Sequence, residues 1–287
     1  VGDDTVLYAN VLINEYTDDE LRYKDEYGKL KFSEINESSA NISQIRRDAE
    51  TRKRIEVRKI ETYILGLETD LAGWFTEAQF SHSFAEQDDT DNVDVKFRSE
   101  KLSCDPCGTF FYNNSQKVGI LFTPAGQSLW DTGIGIDAFE EEDDLIQDTE
   151  VAFKIDFTKD GFTVLDRPTE VKFGFKYSSR EKERDNEYFE WDDETVPQDQ
   201  AYFGARIPFK WPFAGQSMGP MADASLLYPL QGSFGPYIKG QLKKDYTTEE
   251  DIFALYVMGT LEYENAIVTA GVRYEDTSFS TVGYNEA

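Results

Sequence analysis

The residues best suited to chemistry in this chain are two cysteines and a single histidine. Cys104 and Cys107 lie in the segment LSCDPCGTFF, with the spacing of a zinc half-site or a redox pair. A structural zinc ion needs four ligands, and His82 is the only histidine, so the sequence offers too few partners. Pro106 and Gly108 predict a turn, whereas a thioredoxin-like pair follows a strand and opens a helix. The favoured interpretation is a small structural disulfide in an exported loop, with free thiols or redox chemistry as alternatives.

Catalysis is not predicted. With one histidine the chain has no specific Ser-His-Asp arrangement, and its many carboxylates show no paired context that suggests hydrolysis. The segment DDTDNVD, from Asp88 to Asp94, could present alternating oxygens to calcium. It lacks the glycine and the final glutamate of an EF-hand loop, so a solvated acidic loop is the favoured interpretation. We therefore predict no enzyme activity, no metal site and no cofactor.

Composition narrows the class of protein. The chain has 287 residues and a net charge of -27, which argues against nucleic acid as a partner because phosphate binding needs an excess of Lys and Arg. Aromatic residues make up 14% of the chain, which disfavours disorder. The chain contains no run of about 18 apolar residues, so no transmembrane helix is predicted. The first residues, VGDDTVLYAN, show no secretion signal, although a mature chain or a fragment could still be exported.

Alternation of apolar and polar residues predicts β-strands along much of the chain. In EVKFGFKY, Val171, Phe173 and Phe175 fall on one face of a strand, while Lys172 and Lys176 fall on the other. Seven segments show this period, near residues 5–16, 54–68, 73–86, 147–158, 169–184, 249–263 and 266–279. The first of them has apolar residues at both parities, so its facing stays open.

The connections between these segments alternate between short and long. Polar, acidic tracts at 17–53, 87–147 and 181–248 separate pairs of strands, and a connection of about a dozen residues containing Gly161 and Pro168 is expected before the fifth strand. Most connections in compact soluble domains have about 2–6 residues. Outer-membrane barrels combine short periplasmic turns with long extracellular loops. The predicted fold class is therefore all-β, an antiparallel transmembrane β-barrel with long extracellular loops. A soluble β-sandwich, the alternative, explains the alternation but not the loops.

A barrel in lipid places its apolar side chains outward, because lipid offers no hydrogen bonds and the lumen is polar. The residues predicted to face lipid are Phe153, Phe173, Phe175, Leu255, Val257, Val268 and Val272. The residues predicted to face the lumen are Lys154, Lys172, Lys176, Tyr256 and Arg273. Tyr177 is expected at one interface of the membrane, and Trp74 and Tyr263 at the other, as aromatic girdles require.

Four segments resemble consecutive barrel strands of the TonB-dependent outer-membrane receptors. They are TVLYANVLINEYTDDELRYKDEYG, WFTEAQFSHSFAEQDDTDNVDVKFR, VKFGFKYSSREKERD and TEEDIFALYVMGTLEYENAIVTAGVRYEDT. The resemblance runs from about Thr5 to Tyr284 and is most specific in the last two segments. It is greatest to the proteobacterial branch often associated with carbohydrate uptake.

The resemblance implies a barrel of about 22 strands, closed by an N-terminal plug domain, that binds a scarce nutrient at its extracellular face. It also implies import driven by the TonB–ExbB–ExbD system through an N-terminal TonB box. Residues 1–287 are expected to form about seven strands of this barrel domain, with the plug and the other strands outside the chain.

The same resemblance implies location in the outer membrane of a Gram-negative bacterium. The expected partners are membrane lipid, lipopolysaccharide and a small-molecule or oligosaccharide ligand, with no nucleic acid. A carbohydrate is the expected ligand, and an iron–siderophore complex is the alternative. A passive porin and a surface-binding barrel are the alternative functions.

Ligand contacts are expected in the tract from Arg180 to Trp211. The candidate residues are Tyr188, Phe189, Trp191, Tyr202 and Trp211. Aromatic rings among carboxylates and amides can stack on the apolar faces of sugars, with the polar groups binding hydroxyls. The alternative is that these rings pack the interior of the loop itself.

Overall fold

The computed structural model describes residues 5–112, 118–128, 134–194, 221, 239–240 and 244–283. The elements are β1 (Val6–Ser33), β2 (Ser39–Leu71), β3 (Trp74–Ser99), β4 (Leu102–Tyr112), β5 (Val118–Phe122), α1 (Pro124–Gln127), β6 (Ile134–Val164), β7 (Arg167–Asp192), β8 (Lys239–Gly240), β9 (Tyr246–Tyr263) and β10 (Ala266–Gly283). No helix among the described residues is long and apolar enough to cross a membrane.

All seven predicted strands are present and form one antiparallel sheet. The long strands lie in the order β1-β2-β3-β6-β7-β9-β10, each hydrogen-bonded to its neighbours. The short hairpin β4–β5 pairs with the start of β2, and β8 pairs with the end of β7. Over the described residues the sheet is open, with β1 and β10 at its edges. The predicted all-β fold class is confirmed.

Three two-residue turns lie at the same end of this sheet. They join β2 to β3, β6 to β7 and β9 to β10. Leu165 and Asp166 have φ values of 53° and 57°, and Ala72 and Gly73 have 56° and 78°. Two successive residues with positive φ match the right-handed twist of a hairpin. The expectation of a dozen-residue connection around Gly161 and Pro168 was therefore wrong, because β6 and β7 continue through both residues to a tight turn that no glycine marks.

The strands at the other end are much longer than predicted. Most of the tracts 17–53 and 87–147, expected as loops, continue β1, β2, β3 and β6, and β7 runs on to Asp192. Beyond the apolar segments the backbone ladder is unbroken for long stretches, while opposite charges on facing strands replace the apolar alternation. The alternation of apolar and polar residues ends where the apolar packing ends, whereas the β-strand continues beyond that point.

Residues paired across an antiparallel ladder lie on the same face of the sheet, so the register defines two faces. The apolar face carries Phe80, Phe153, Phe173, Phe175, Tyr177, Leu255, Val257, Val268 and Val272. The polar face carries Gln79, Lys154, Lys172, Lys176, Tyr256 and Arg273. The two predicted sets thus fall on opposite faces. Register also resolves β1, where Leu7 and Val11 pair with Leu67 and Tyr63 and so join the apolar face.

The height of the apolar face fits a membrane. From Tyr263, beside its turn, to Phe253, β9 rises by about 34 Å at about 3.4 Å per residue. A strand tilt of about 40° reduces this to about 26 Å, against about 25 Å for the apolar band of an outer-membrane barrel. Aromatic rings pack against one another within this part of the face: Trp74 meets Phe173 at 5.2 Å, and Phe175 meets Phe253 at 5.2 Å. We call this part of the apolar face the apolar band.

Candidate functional site

The five candidate ligand residues do not lie together. Tyr202 and Trp211 fall outside the described residues. Phe189 and Trp191 follow Phe173 at even intervals along β7, without a shift in pairing to β6, so they lie on the face of the apolar band. Tyr188 lies on the opposite, polar face with Lys172.

Trp191 is buried in an apolar cluster beyond the band. It is 5% exposed, and its ring meets Phe139 at 5.8 Å and Phe189 at 6.2 Å. The cluster consists of Ala49, Val93, Val95, Phe97, Ile134, Ile136, Phe139, Trp191 and Met221. This position matches the packing alternative raised from the sequence, rather than contact with a ligand.

Tyr188 has a polar environment suited to binding. It pairs with Glu142 across the ladder, its hydroxyl donates to Glu190 at 3.3 Å, and Lys244 Nζ lies 5.3 Å from its ring centre. Lys244 also forms a 2.5 Å ion pair with Glu142. Burial, together with the charges of Glu140 and Glu190, raises the pKa of Tyr188 above its ordinary value. The phenol therefore stays neutral and keeps the proton that it donates to Glu190.

Cys104 and Cys107 are joined by a disulfide, with their Cα atoms 5.0 Å apart. The bond closes a bulge in β4: Gln44 pairs with Ser103 and Ile42 with Gly108, so the four residues between leave the ladder. Position 126 is necessarily glycine, because a Cβ there would lie 1.9 Å from the carbonyl oxygen of Cys107. The segment is thus a compact bulge beside the start of β2. Its extracellular location stays a prediction.

A concave feature of the polar face lies where β1, β2, β3 and β6 extend beyond the band. It is a cleft of about 340 Å³, which we call the charged cleft. Its lining includes the four basic residues Lys24, Arg46, Lys96 and Arg98, the four acidic residues Glu26, Asp48, Glu50 and Asp137, and Ala49 and Phe97. Pairing between β1 and β2 is continuous from the band to this level, so the cleft belongs to the face of Lys154 and Lys172.

A buried carboxylate lies on the same face of the sheet, two residues along β3 from the lining residue Lys96. Asp94 is 5% exposed and lies 3.2 Å from Arg52 Nε and 3.7 Å from Arg22. Burial raises its pKa to about 6, and the charge of Glu50 adds to the shift. Asp94 Oδ1 and Arg22 Nε have no hydrogen-bond partner among the described residues.

The segment DDTDNVD is part of β3 and not a solvated loop, which corrects the interpretation from the sequence. The strand bulges between Asp89 and Asn92, and both side chains are 7% exposed. Each has one side-chain oxygen without a hydrogen-bond partner within the described ranges. Among those same residues, no three His, Cys, Asp or Glu side chains are arranged to hold a metal ion.

The fold and this face define a class: the wall of an outer-membrane β-barrel with an extended polar rim. Residues 88–287, which are 200 of the 287 residues, match the TonB dependent receptor-like, beta-barrel family. The chain belongs to that family. Comparison with curated proteins finds no match. The family implies the outer membrane as location, transport as general activity and the TonB system as partner.

Proposed function

We propose that this chain forms part of the wall of an active importer that takes up a scarce nutrient with energy from the TonB–ExbB–ExbD system. One observation carries the proposal: a sheet with an apolar band of membrane height continues, on its polar face, into a charged cleft beyond the band. This is the geometry of a barrel wall whose lumen face leads outward to a binding rim. Membership of the family supports energised transport.

The proposed nutrient is a carbohydrate, and an iron–siderophore complex is the alternative. The polar face supports the carbohydrate because its carboxylates are paired with basic side chains, as in Arg184 with Asp144 at 2.7 Å and Lys172 with Glu77 at 3.1 Å. Paired charges leave hydrogen-bonding capacity without a strong net field, which suits hydroxyl groups. An anionic iron complex would meet a chain with a net charge of -27.

The proposed orientation puts the three tight turns in the periplasm and the strand extensions outside the cell. The apolar band then contacts lipid, and the residues just above it contact lipopolysaccharide. A passive porin remains the alternative function, since it has the same kind of barrel wall but does not use energy from the TonB system.

Uptake in cells tests the proposal. We expect cells that make the intact receptor to accumulate a labelled neutral oligosaccharide, and to stop when the gene for TonB is deleted or the proton gradient is collapsed. A receptor deletion is the control for background entry. Uptake that persists without TonB would establish a porin instead, and TonB-dependent uptake of a ferric siderophore alone would change the nutrient.

A further inference from the structure

The face of the sheet that carries the apolar band becomes acidic where β7 and β9 leave the band. In the segment REKERDNE, which begins at Arg180, basic and acidic residues of β7 alternate. The pairing of β7 with β6 and β9 has no shift here, so the basic residues lie on the polar face and the acidic ones on the face of Phe173. We call the acidic set the acidic stripe; it consists of Glu181, Glu183, Asp185 and Glu187 on β7 and Glu249 and Asp251 on β9.

Charges are paired across the polar face of these strands but not across the stripe. On the polar face, Arg180 lies between Glu150 and Glu250 on the neighbouring strands, so opposite charges face one another. On the stripe, Glu181 lies directly opposite Glu249, and like charges in this position destabilise a sheet. Over the described parts of β6, β7, β9 and β10, the apolar face beyond the band carries no Lys, Arg or His. These strands therefore do not offset the repulsion within the stripe.

The stripe begins at the end of the apolar band that lies away from the tight turns. Tyr177, at this end of the band, donates a hydrogen bond from its hydroxyl to Asp251 at 3.0 Å. On the same face, the hydroxyl of Tyr63 donates to Glu61 at 3.1 Å. Tyrosines between apolar and polar surroundings are typical of the membrane–water interface. At a strand tilt of about 40°, Asp251 lies about 5 Å and Glu181 about 10 Å in height beyond Tyr177, so the stripe starts at the level of the lipid headgroups.

We propose that the acidic stripe is a docking surface for lipopolysaccharide, with divalent cations bridging its carboxylates to the phosphates of the lipid. Continuity selects this occupant, because the stripe extends the lipid-facing band into the headgroup layer of the outer leaflet, where the phosphates of lipopolysaccharide lie. The inference rests on the orientation given under the proposed function and deepens that function by assigning how the barrel wall contacts its membrane.

The cation is required by the charges on both sides of this contact. Carboxylates and phosphates repel one another directly, whereas Ca²⁺ or Mg²⁺ bound by oxygen atoms of both groups attracts them together. Within the described ranges no three acidic side chains can hold a metal ion between them. The stripe therefore supplies a cation with part of its oxygen ligands, and phosphate and water supply the rest.

Binding of lipopolysaccharide to the full-length receptor, purified in detergent and immobilised, tests the surface. Surface plasmon resonance measures the affinity for detergent-dispersed lipopolysaccharide in the presence of calcium and in the presence of a chelator. Lipopolysaccharide from which the phosphates have been removed is the ligand control. The test variant combines Glu181→Gln with Glu249→Gln, which removes two charges that face each other across the ladder.

The matched control combines Glu150→Gln with Glu250→Gln. These two carboxylates lie at nearly the same height, on either side of Arg180, but on the polar face. The control thus removes the same charge from the opposite side of the wall. The test variant should fold at least as stably as the wild type, because it loses a like-charge repulsion, and circular dichroism checks this. Glu183→Gln, opposite Gln147 and Thr247, is a second variant of the stripe.

We expect calcium to raise the affinity of the wild type and of the control for phosphorylated lipopolysaccharide about tenfold or more, and that of the test variant far less. Removal of the phosphates should abolish the calcium effect. Binding by the wild type that does not depend on calcium, or an equal calcium effect in the test and control variants, would overturn the docking surface. TonB-dependent uptake that persists in that case would leave the proposed function standing. Calcium-dependent docking in a receptor whose uptake does not need TonB would instead remove the proposed function alone.

Discussion

The hydroxyl of Tyr256 donates a 2.7 Å hydrogen bond to Asp156, and the two side chains meet over Gly174 on the strand between them. Asp156 is 0% exposed on the polar face, within the height of the apolar band. Lys154 and Lys172 form ion pairs with it at 2.5 Å and 3.7 Å. A buried carboxylate is tolerated only when it is paired and hydrogen-bonded, so this network depends on the space that Gly174 leaves.

Gly174→Ala should therefore destabilise the sheet. A Cβ at this position would lie 2.2 Å from Asp156 Oδ1 and 2.6 Å from Tyr256 Cε1. We expect a loss of about 1–3 kcal/mol in the free energy of unfolding, from overpacking and the broken hydrogen bond. Gly259→Ala is the control, since the nearest atom to its Cβ would be 3.8 Å away. Urea unfolding of the receptor in lipid measures both, and equal effects would show that the network is not the cause.

The facing of the strands gives a second prediction. Val257 lies on the apolar band near mid-height, paired with Phe173 and Val272. Val257→Arg should cost about 2–4 kcal/mol if this face contacts lipid. Thr260→Arg, on the polar face opposite Glu170, should cost far less. The free energy of unfolding in lipid is the measurement, and a larger cost at Thr260 than at Val257 would reverse the assignment of lipid and lumen.

The sequence predicted the membrane-height part of each strand because lipid imposes one-sided alternation there. Beyond the band both faces carry charge, and a charged residue is stable on a strand only if a partner faces it. Arg52 faces Asp94, and Arg184 lies close to Asp144 on the neighbouring strand, partners that are 42 and 40 residues away in the chain. Local patterning does not show such pairs, so the extensions were predicted as loops.

The candidate site could have been placed better from the sequence. Phe173 and Trp191 are separated by an even number of residues, so a regular strand puts Trp191 on the face predicted for lipid and Tyr188 on the other. The charged cleft had one local signal, the alternation of Arg46, Asp48 and Glu50 along β2. Its other walls come from β1, β3 and β6, and only the register of the sheet brings them together.

The raised pKa of Asp94 predicts a pH dependence. The charged groups around it are Arg22 on β1, Glu50 and Arg52 on β2, Lys96 on β3 and Glu140 on β6. Because burial raises its pKa from 3.8 to about 6, the folded protein binds this proton more tightly than the unfolded chain. The resulting stabilisation is fully present below pH 3.8 and is lost as pH rises through 6.

We expect the free energy of unfolding to fall by at most about 3 kcal/mol from this group as pH rises from about 4 to 7. Asp94→Asn should flatten that part of the profile, and Asp276→Asn, an exposed residue on β10, is the control. Chemical unfolding at several pH values measures the slope. An unchanged slope in Asp94→Asn would assign the dependence to other groups.

The disulfide should matter locally and not globally. Cys104 and Cys107 close a very short loop, so the chain-entropy contribution is well below the about 3 kcal/mol of a 15-residue loop. Cys107 also packs with Ile42, Ile45 and Phe122. Replacing both cysteines with serine should leave the unfolding of the long strands unchanged and speed amide exchange in β4 and β5. Cooperative loss of the whole sheet would show a larger role.

Trp191 and Tyr188 give opposite expectations, although they are neighbours in the same candidate set. Trp191→Ala removes a large buried ring from the cluster of Phe139 and Phe189, so it should cost about 3–5 kcal/mol of stability. The Trp191→Ala protein that remains folded should bind oligosaccharide with unchanged affinity. Tyr188→Ala removes a partly exposed ring from the polar face and should instead weaken binding by about 1–3 kcal/mol with little change in stability. Thermal unfolding and calorimetry on the same preparations separate the two roles. A Trp191→Ala variant that melts like the wild type but loses affinity would restore Trp191 as a ligand contact and remove the packing explanation.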